Sequence, residues 1–98
     1  MTVTRHMIVH GRVQGVGFRA FVEYEALRRA VGGWVRNRRD GSVEAVITGE
    51  TDAVSAMIQA CSKGPPGVCV DALHQREGTA EDLKLRRPGE LFSVLATA

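Results

Sequence analysis

The sequence predicts an α+β domain in which strands and helices follow in the order βαββαβ, with a small extra strand at the end. Three observations carry this prediction. Segments of strand-like, alternating character recur along the chain, two longer stretches are built from helix formers, and Gly, Pro and Asp-Gly signals fall at the joints. A length of 98 residues suits one domain with its own core, spanning residues 1–98, and is too short for two.

"RHMIVHGRV" reads as the first strand, with Met7, Val9 and Val13 on one face and Ile8, His10 and Arg12 on the other. Phe18 to about Ala30 is rich in good helix formers, and Gly32 or Gly33 of the following "VGG" can supply a left-handed stop. "WVRN" and "SVEAVIT" are strand-like, joined by "RRDG", whose Asp40-Gly41 suits a hairpin turn. "TDAVSAMIQACSKGPP" carries the clearest helical pattern. Its Val54, Met57, Ile58 and Cys61 follow the i, i+3, i+4, i+7 stripe, Thr51 or Asp52 can cap its start, and Gly64-Pro65-Pro66 ends it. "VCVDALHQ" is a further strand, the polar stretch from Arg76 to Gly89 reads as a surface loop, and "LFSVL" closes the chain as a short strand. This order is the split βαβ, ferredoxin-like α/β sandwich, an antiparallel sheet with both helices on one face. The architecture hosts many activities, so function must come from a site.

Composition narrows the classes. Apolar residues make up 44% and charged residues 24%, as in ordinary globular chains. The net charge of +2 does not by itself imply a nucleic-acid partner. Eleven arginines stand against two lysines, a bias that suits forked recognition of carboxylate or phosphate, although codon usage is the better account of most of them. Cys61 and Cys69 lack Cys-x-x-Cys spacing and read as small buried hydrophobes in a reducing compartment. No stretch approaches the length of a membrane span, and the expected location is the cytoplasm.

"HGRVQGVGFRAFV" (His10 to Val22) holds the informative residues. A Walker A loop fails, because no Gly-Lys pair exists. Gly15, Gly17 and Ala20 formally match a dinucleotide fingerprint, but the chain is too short for the doubly wound domain that reads it. A third reading needs only a glycine turn that runs into a helix N-terminus. Its free N–H groups, from Gln14 through Gly15, Val16, Gly17 and Phe18 to Arg19, would point outward beside the Arg19 guanidinium. That describes a cradle sized for phosphate or sulfate. A plain strand-to-helix turn with a solvated arginine weighs about evenly on local pattern. Geometry adds Asn37: a helix of about 13 residues runs about 20 Å away from the loop, and "GWVRN" returns about 17 Å, ending beside it. Asparagine can both accept and donate, so it can hold a water, although taken alone Asn37 is better read as the residue that starts the "RRDG" hairpin.

"GRVQGVGFR", "GWVRNRRDGSVEAVITGE" and the later "GPP" together resemble the acylphosphatase family over about Met7 to Val70. The resemblance implies hydrolysis of acyl phosphates to carboxylate and inorganic phosphate. It also implies that the loop N–H groups and Arg19 bind the phosphate and that Asn37 orients the attacking water. The chain departs from the family's pattern at Arg38-Arg39, at Cys69 and in the tail "GELFSVLATA".

No nucleophilic Ser, Cys or His is evident, and His6, His10 and His74 lack acids at ligand spacing, so neither metal nor cofactor is expected. Catalysis would rest on positioning and charge stabilisation. The expected partners are a small acyl phosphate and inorganic phosphate as product inhibitor, for a monomer without nucleic-acid or membrane partners. An RNA-binding sheet would need aromatics on its open face, where Ile8, His10, Arg12, Glu44, Val46 and Thr48 are expected instead. A non-catalytic, anion-binding regulatory module of the same fold is the remaining alternative.

Overall fold

A computed structural model describes every residue, Met1–Ala98. The elements are β1 (Thr2–Arg12), α1 (Phe18–Arg28), β2 (Gly32–Asn37), β3 (Val43–Glu50), α2 (Thr51–Lys63), β4 (Cys69–Glu77), α3 (Ala80–Leu83) and β5 (Phe92–Val94). The sheet order is β4-β1-β3-β2-β5. Its first four strands pair antiparallel, as expected, but β5 pairs parallel with β2. The sheet is therefore mixed, because the chain after α3 returns along the free edge of β2 in the same direction.

Alternation divides the sheet into two faces. Met7, Val9, Val35, Val43, Ala45 and Ile47 share one face and form a single core with Phe18, Val22 and Ala26 of α1 and Val54, Met57 and Cys61 of α2. Both long helices thus lie on one face, and of the expected α2 stripe only Ile58 stays partly exposed.

Several boundaries differ from expectation. α1 stops at Arg28, and the left-handed residue that ends it is Ala30 (φ 57°) rather than Gly32 or Gly33. Neither Thr51 nor Asp52 caps α2: the N-cap is Glu50, without a side-chain cap bond, while Thr51 Oγ1 donates to the Met1 carbonyl at 3.1 Å. The segment from Arg76 to Gly89 is not simply a surface loop. β4 continues to Glu77, and α3 begins with a capping box in which Thr79 accepts from Asp82 N and Asp82 accepts from Thr79 N. This segment crosses the second face of the sheet, where Trp34 Nε1 donates to the Asp82 carbonyl at 2.6 Å. Trp34 and Val46 are consequently buried on a face that was expected to be open.

Candidate active site

The loop between β1 and α1 starts from a fixed point, because Val13 is buried in the core. Gly15 (φ 74°) and Gly17 (φ 80°) then take left-handed backbone conformations. A Cβ would meet nothing within 4 Å at either position, so these glycines serve backbone conformation rather than space. Gly17 is the N-cap of α1; no side chain caps it, and no acid sits in the first turn. The first N–H to find a helical acceptor is that of Phe21, on the Gly17 carbonyl at 3.0 Å. The N–H groups of Gly17, Phe18, Arg19 and Ala20 therefore have no intrahelical partner. Those of Gln14, Gly15 and Val16 make no backbone hydrogen bond either. A run of free donors at the positive end of a helix attracts an anion.

Phe18 enters the core and stacks on Phe21 with ring centroids 6.0 Å apart, which fixes the first turn. Arg19 lies outside that core. Its Nη1 donates to the Leu95 carbonyl at 3.1 Å, and the Leu95 N–H is bound in turn to the Val35 carbonyl at 2.9 Å. Asn37 ends β2 opposite Val43, on the helix-covered face, which brings its side chain to the loop. Its Oδ1 is the only buried side-chain nitrogen or oxygen without a hydrogen-bond partner.

A pocket of about 410 Å³ joins these groups, lined by Gln14, Gly15, Gly17, Phe18, Arg19 and Asn37 among others. Val16 is 38% exposed and outside this lining, so only its backbone N–H is offered. The walls also include Glu23 and Val94, which the sequence did not single out. Glu23 was findable, one turn beyond Arg19 on the same helix side. Val94 was not, since it depends on the parallel docking of β5. A larger cavity, about 570 Å³, lies between β1 and α2 near Thr4, Arg5 and Ser55 and contains none of these loop donors.

The histidines are engaged elsewhere. His6 Nε2 lies 2.7 Å from Glu44 Oε2, and Arg36 Nε donates to the other oxygen at 2.8 Å. Burial pushes the Glu44 carboxyl up, but the hydrogen bonds from His6 and Arg36 outweigh it and hold the group below its ordinary value. His10 and His74 meet edge to face at 5.5 Å. No three His, Cys, Asp or Glu side chains gather as a metal-binding group. The cysteines were expected to be buried alike, yet only Cys61 is; Cys69 is exposed on the β4 edge strand. Burial, reinforced by Glu25, pushes the Cys61 thiol up to about 12.

A profile of the acylphosphatase family matches residues 5–86. The chain belongs to the acylphosphatase family. An acylphosphatase of Rhodopseudomonas palustris (strain BisB18) is 53% identical over 96 residues, 98% of this chain and 97% of the relative. One of Nitrobacter winogradskyi is 54% identical over 95 residues, 97% of this chain and 96% of the relative. Among solved structures, the acylphosphatase of Bacillus subtilis superposes with a TM-score of 0.82 at 38% identity, covering 97% of this chain and 99% of that one. Family membership at this level carries the ferredoxin-like fold and the enzyme class with it: hydrolysis of the carboxyl–phosphate bond of small acyl phosphates.

Proposed function

We propose that the loop from Gln14 to Arg19, with the Arg19 guanidinium, holds the phosphate of an acyl phosphate while Asn37 directs the water that attacks it. The observation that carries this reading is the unpartnered, buried Oδ1 of Asn37 beside a loop of free N–H groups. A buried amide oxygen without a partner costs about 1–3 kcal/mol, a cost that a water molecule held there removes. Attack on phosphorus forms a new P–O bond and breaks the bond to the acyl oxygen. The leaving group departs as a carboxylate and needs little protonation, and the proton from water ends on phosphate. Backbone donors and Arg19 stabilise the charge that spreads over the phosphoryl oxygens, with no metal or other cofactor taking part. A regulatory module would need the cradle alone, and Asn37 would then have no task.

The product, inorganic phosphate, fits the same donors and inhibits competitively. We take residues 1–98 as a single domain acting as a monomer; the radius of gyration of 12.0 Å agrees with about 13 Å for a domain of about 100 residues. Trp34, the one aromatic of Phe, Tyr or Trp type on the second sheet face, is sealed, which speaks against RNA stacking there. No helix is long and apolar enough to cross a membrane. Two free cysteines, one of them exposed, suit the cytoplasm.

Arg19→Ala and Asn37→Ala test the assignment on benzoyl phosphate. Arg19→Ala loses both turnover and phosphate inhibition, with at least roughly a hundred-fold fall in kcat. Asn37→Ala keeps the phosphate inhibition constant while kcat collapses. Loss of phosphate binding with kcat retained in Asn37→Ala would make Asn37 a binding residue and overturn its role.

A further inference from the structure

The side chain of Gln14 does something the cradle reading does not use. Its Nε2 donates to the Arg38 carbonyl at 2.7 Å and to the Ser42 carbonyl at 2.8 Å. These two carbonyls face each other across the mouth of the β2–β3 hairpin. Arg38 N donates to the Ser42 carbonyl at 2.8 Å, and Gly41 N donates to the Arg38 carbonyl at 3.1 Å. Both amide hydrogens of Gln14 are thereby spent on the hairpin, one on each limb. Arg38 directly follows Asn37, and Ser42, buried at 2% exposure, directly precedes its cross-strand partner Val43. Asp40 closes the same turn from its other side, accepting from Ser42 N at 2.9 Å and from Ser42 Oγ at 2.6 Å.

We infer that Gln14 is a positioning residue: its side-chain amide ties the phosphate loop to the hairpin and so sets where Asn37 holds the water relative to the bound phosphate. The inference rests on the proposed role of Asn37. The loop and the strand end that carry the two halves of the site are 23 positions apart in sequence, and no backbone hydrogen bond joins residues 14–17 to residues 37–42. The Gln14 amide is the direct side-chain link between them. Arginine side chains at 38 and 39 are not required for this link, since the carbonyl is what accepts. That gives the basic turn a structural use independent of its charge.

A double-mutant cycle tests the inference, with kcat on benzoyl phosphate and the phosphate inhibition constant measured for Gln14→Met, Asn37→Ala and the pair. Gln14→Met keeps the shape and removes the donors. Misplacement of the water lowers its kcat at least roughly ten-fold, and the phosphate inhibition constant stays within about two-fold. In the Asn37→Ala background, the same substitution changes kcat little, because the group it positions is already gone. Gln14→Lys, whose ammonium can still donate to both carbonyls, retains a kcat above that of Gln14→Met, or above that of Gln14→Glu should Gln14→Met fail to fold. Three results would overturn the inference: a kcat unchanged in Gln14→Met, an equal loss with and without Asn37, or a phosphate inhibition constant that rises in step with the fall in kcat. The two readings separate cleanly. A normal kcat in Asn37→Ala removes the water-directing role itself, whereas a collapse there with a normal Gln14→Met removes only the positioning role.

Discussion

At Gly15 the backbone has φ 74° and open space ahead of the missing Cβ; at Gly33 φ is 131° and the Val46 carbonyl stands where a Cβ would go. The two substitutions therefore fail differently. Gly15→Val forces a β-branched residue into a left-handed conformation, at a cost of ~1–2 kcal/mol, and shifts the loop donors away from the anion. Gly33→Ala drives a side chain into the neighbouring strand and costs ~3 kcal/mol or more. Urea unfolding with phosphate titration checks both: Gly15→Val loses phosphate affinity while staying folded, and Gly33→Ala loses stability while its folded fraction still binds phosphate. Unchanged phosphate affinity in Gly15→Val would remove the loop from the binding role.

The end of α1 shows how an element settles against the fold around it. Ala30 sits left-handed so that Val31 N can reach the Ala26 carbonyl at 2.8 Å and Ala30 N the Leu27 carbonyl at 3.3 Å, the paired bonds of a Schellman cap. Ala30→Gly keeps those bonds without the Cβ clash and stabilises by about 1 kcal/mol, seen as a higher urea midpoint at constant slope. An unchanged or lower midpoint would mean the alanine carries no strain. Glycine chemistry in the sequence pointed two or three residues too far along, because Gly32 and Gly33 are needed in β2, where Leu91 crowds Gly32 and the Val46 carbonyl of β3 crowds Gly33. The same competition displaced the α2 cap, since Thr51 Oγ1 is taken by Met1. The elements themselves were legible because periodicity and turn residues agreed. α3 was not, although Thr79 and Asp82 stand at capping-box spacing, because four residues give no periodicity to read. Of the site, the contiguous motif around Arg19 and the strand end at Asn37 were legible. The Leu95 carbonyl that holds Arg19 lies 76 residues away and only folding reveals it.

Across the whole molecule, one polar chain crosses the second sheet face from β1 to α3. His6 meets Glu44, Glu44 meets Arg36, and Arg36 lies 4.9 Å over the Trp34 ring. Glu44→Gln leaves Arg36 and His6 facing a neutral amide and destabilises by about 2 kcal/mol at neutral pH. Glu44 has a folded value below its ordinary 4.5, so its contribution is complete above that value and lost as pH falls through the folded one. The gap between wild type and Glu44→Gln in urea unfolding accordingly narrows below about pH 4.5. A gap of constant size down to pH 3 would show that the ion pairs do not carry it. Beyond Arg36 the chain reaches Trp34, whose indole N–H holds the Asp82 carbonyl, and Asp82 is itself pulled down to about 2 by Arg76. Trp34 is the sole tryptophan and is 2% exposed beneath the strap that carries α3. The molecule thus contains its own optical reporter: indole emission reads the lifting of that strap as a red shift, separately from the loss of helix seen by circular dichroism, without any label being attached.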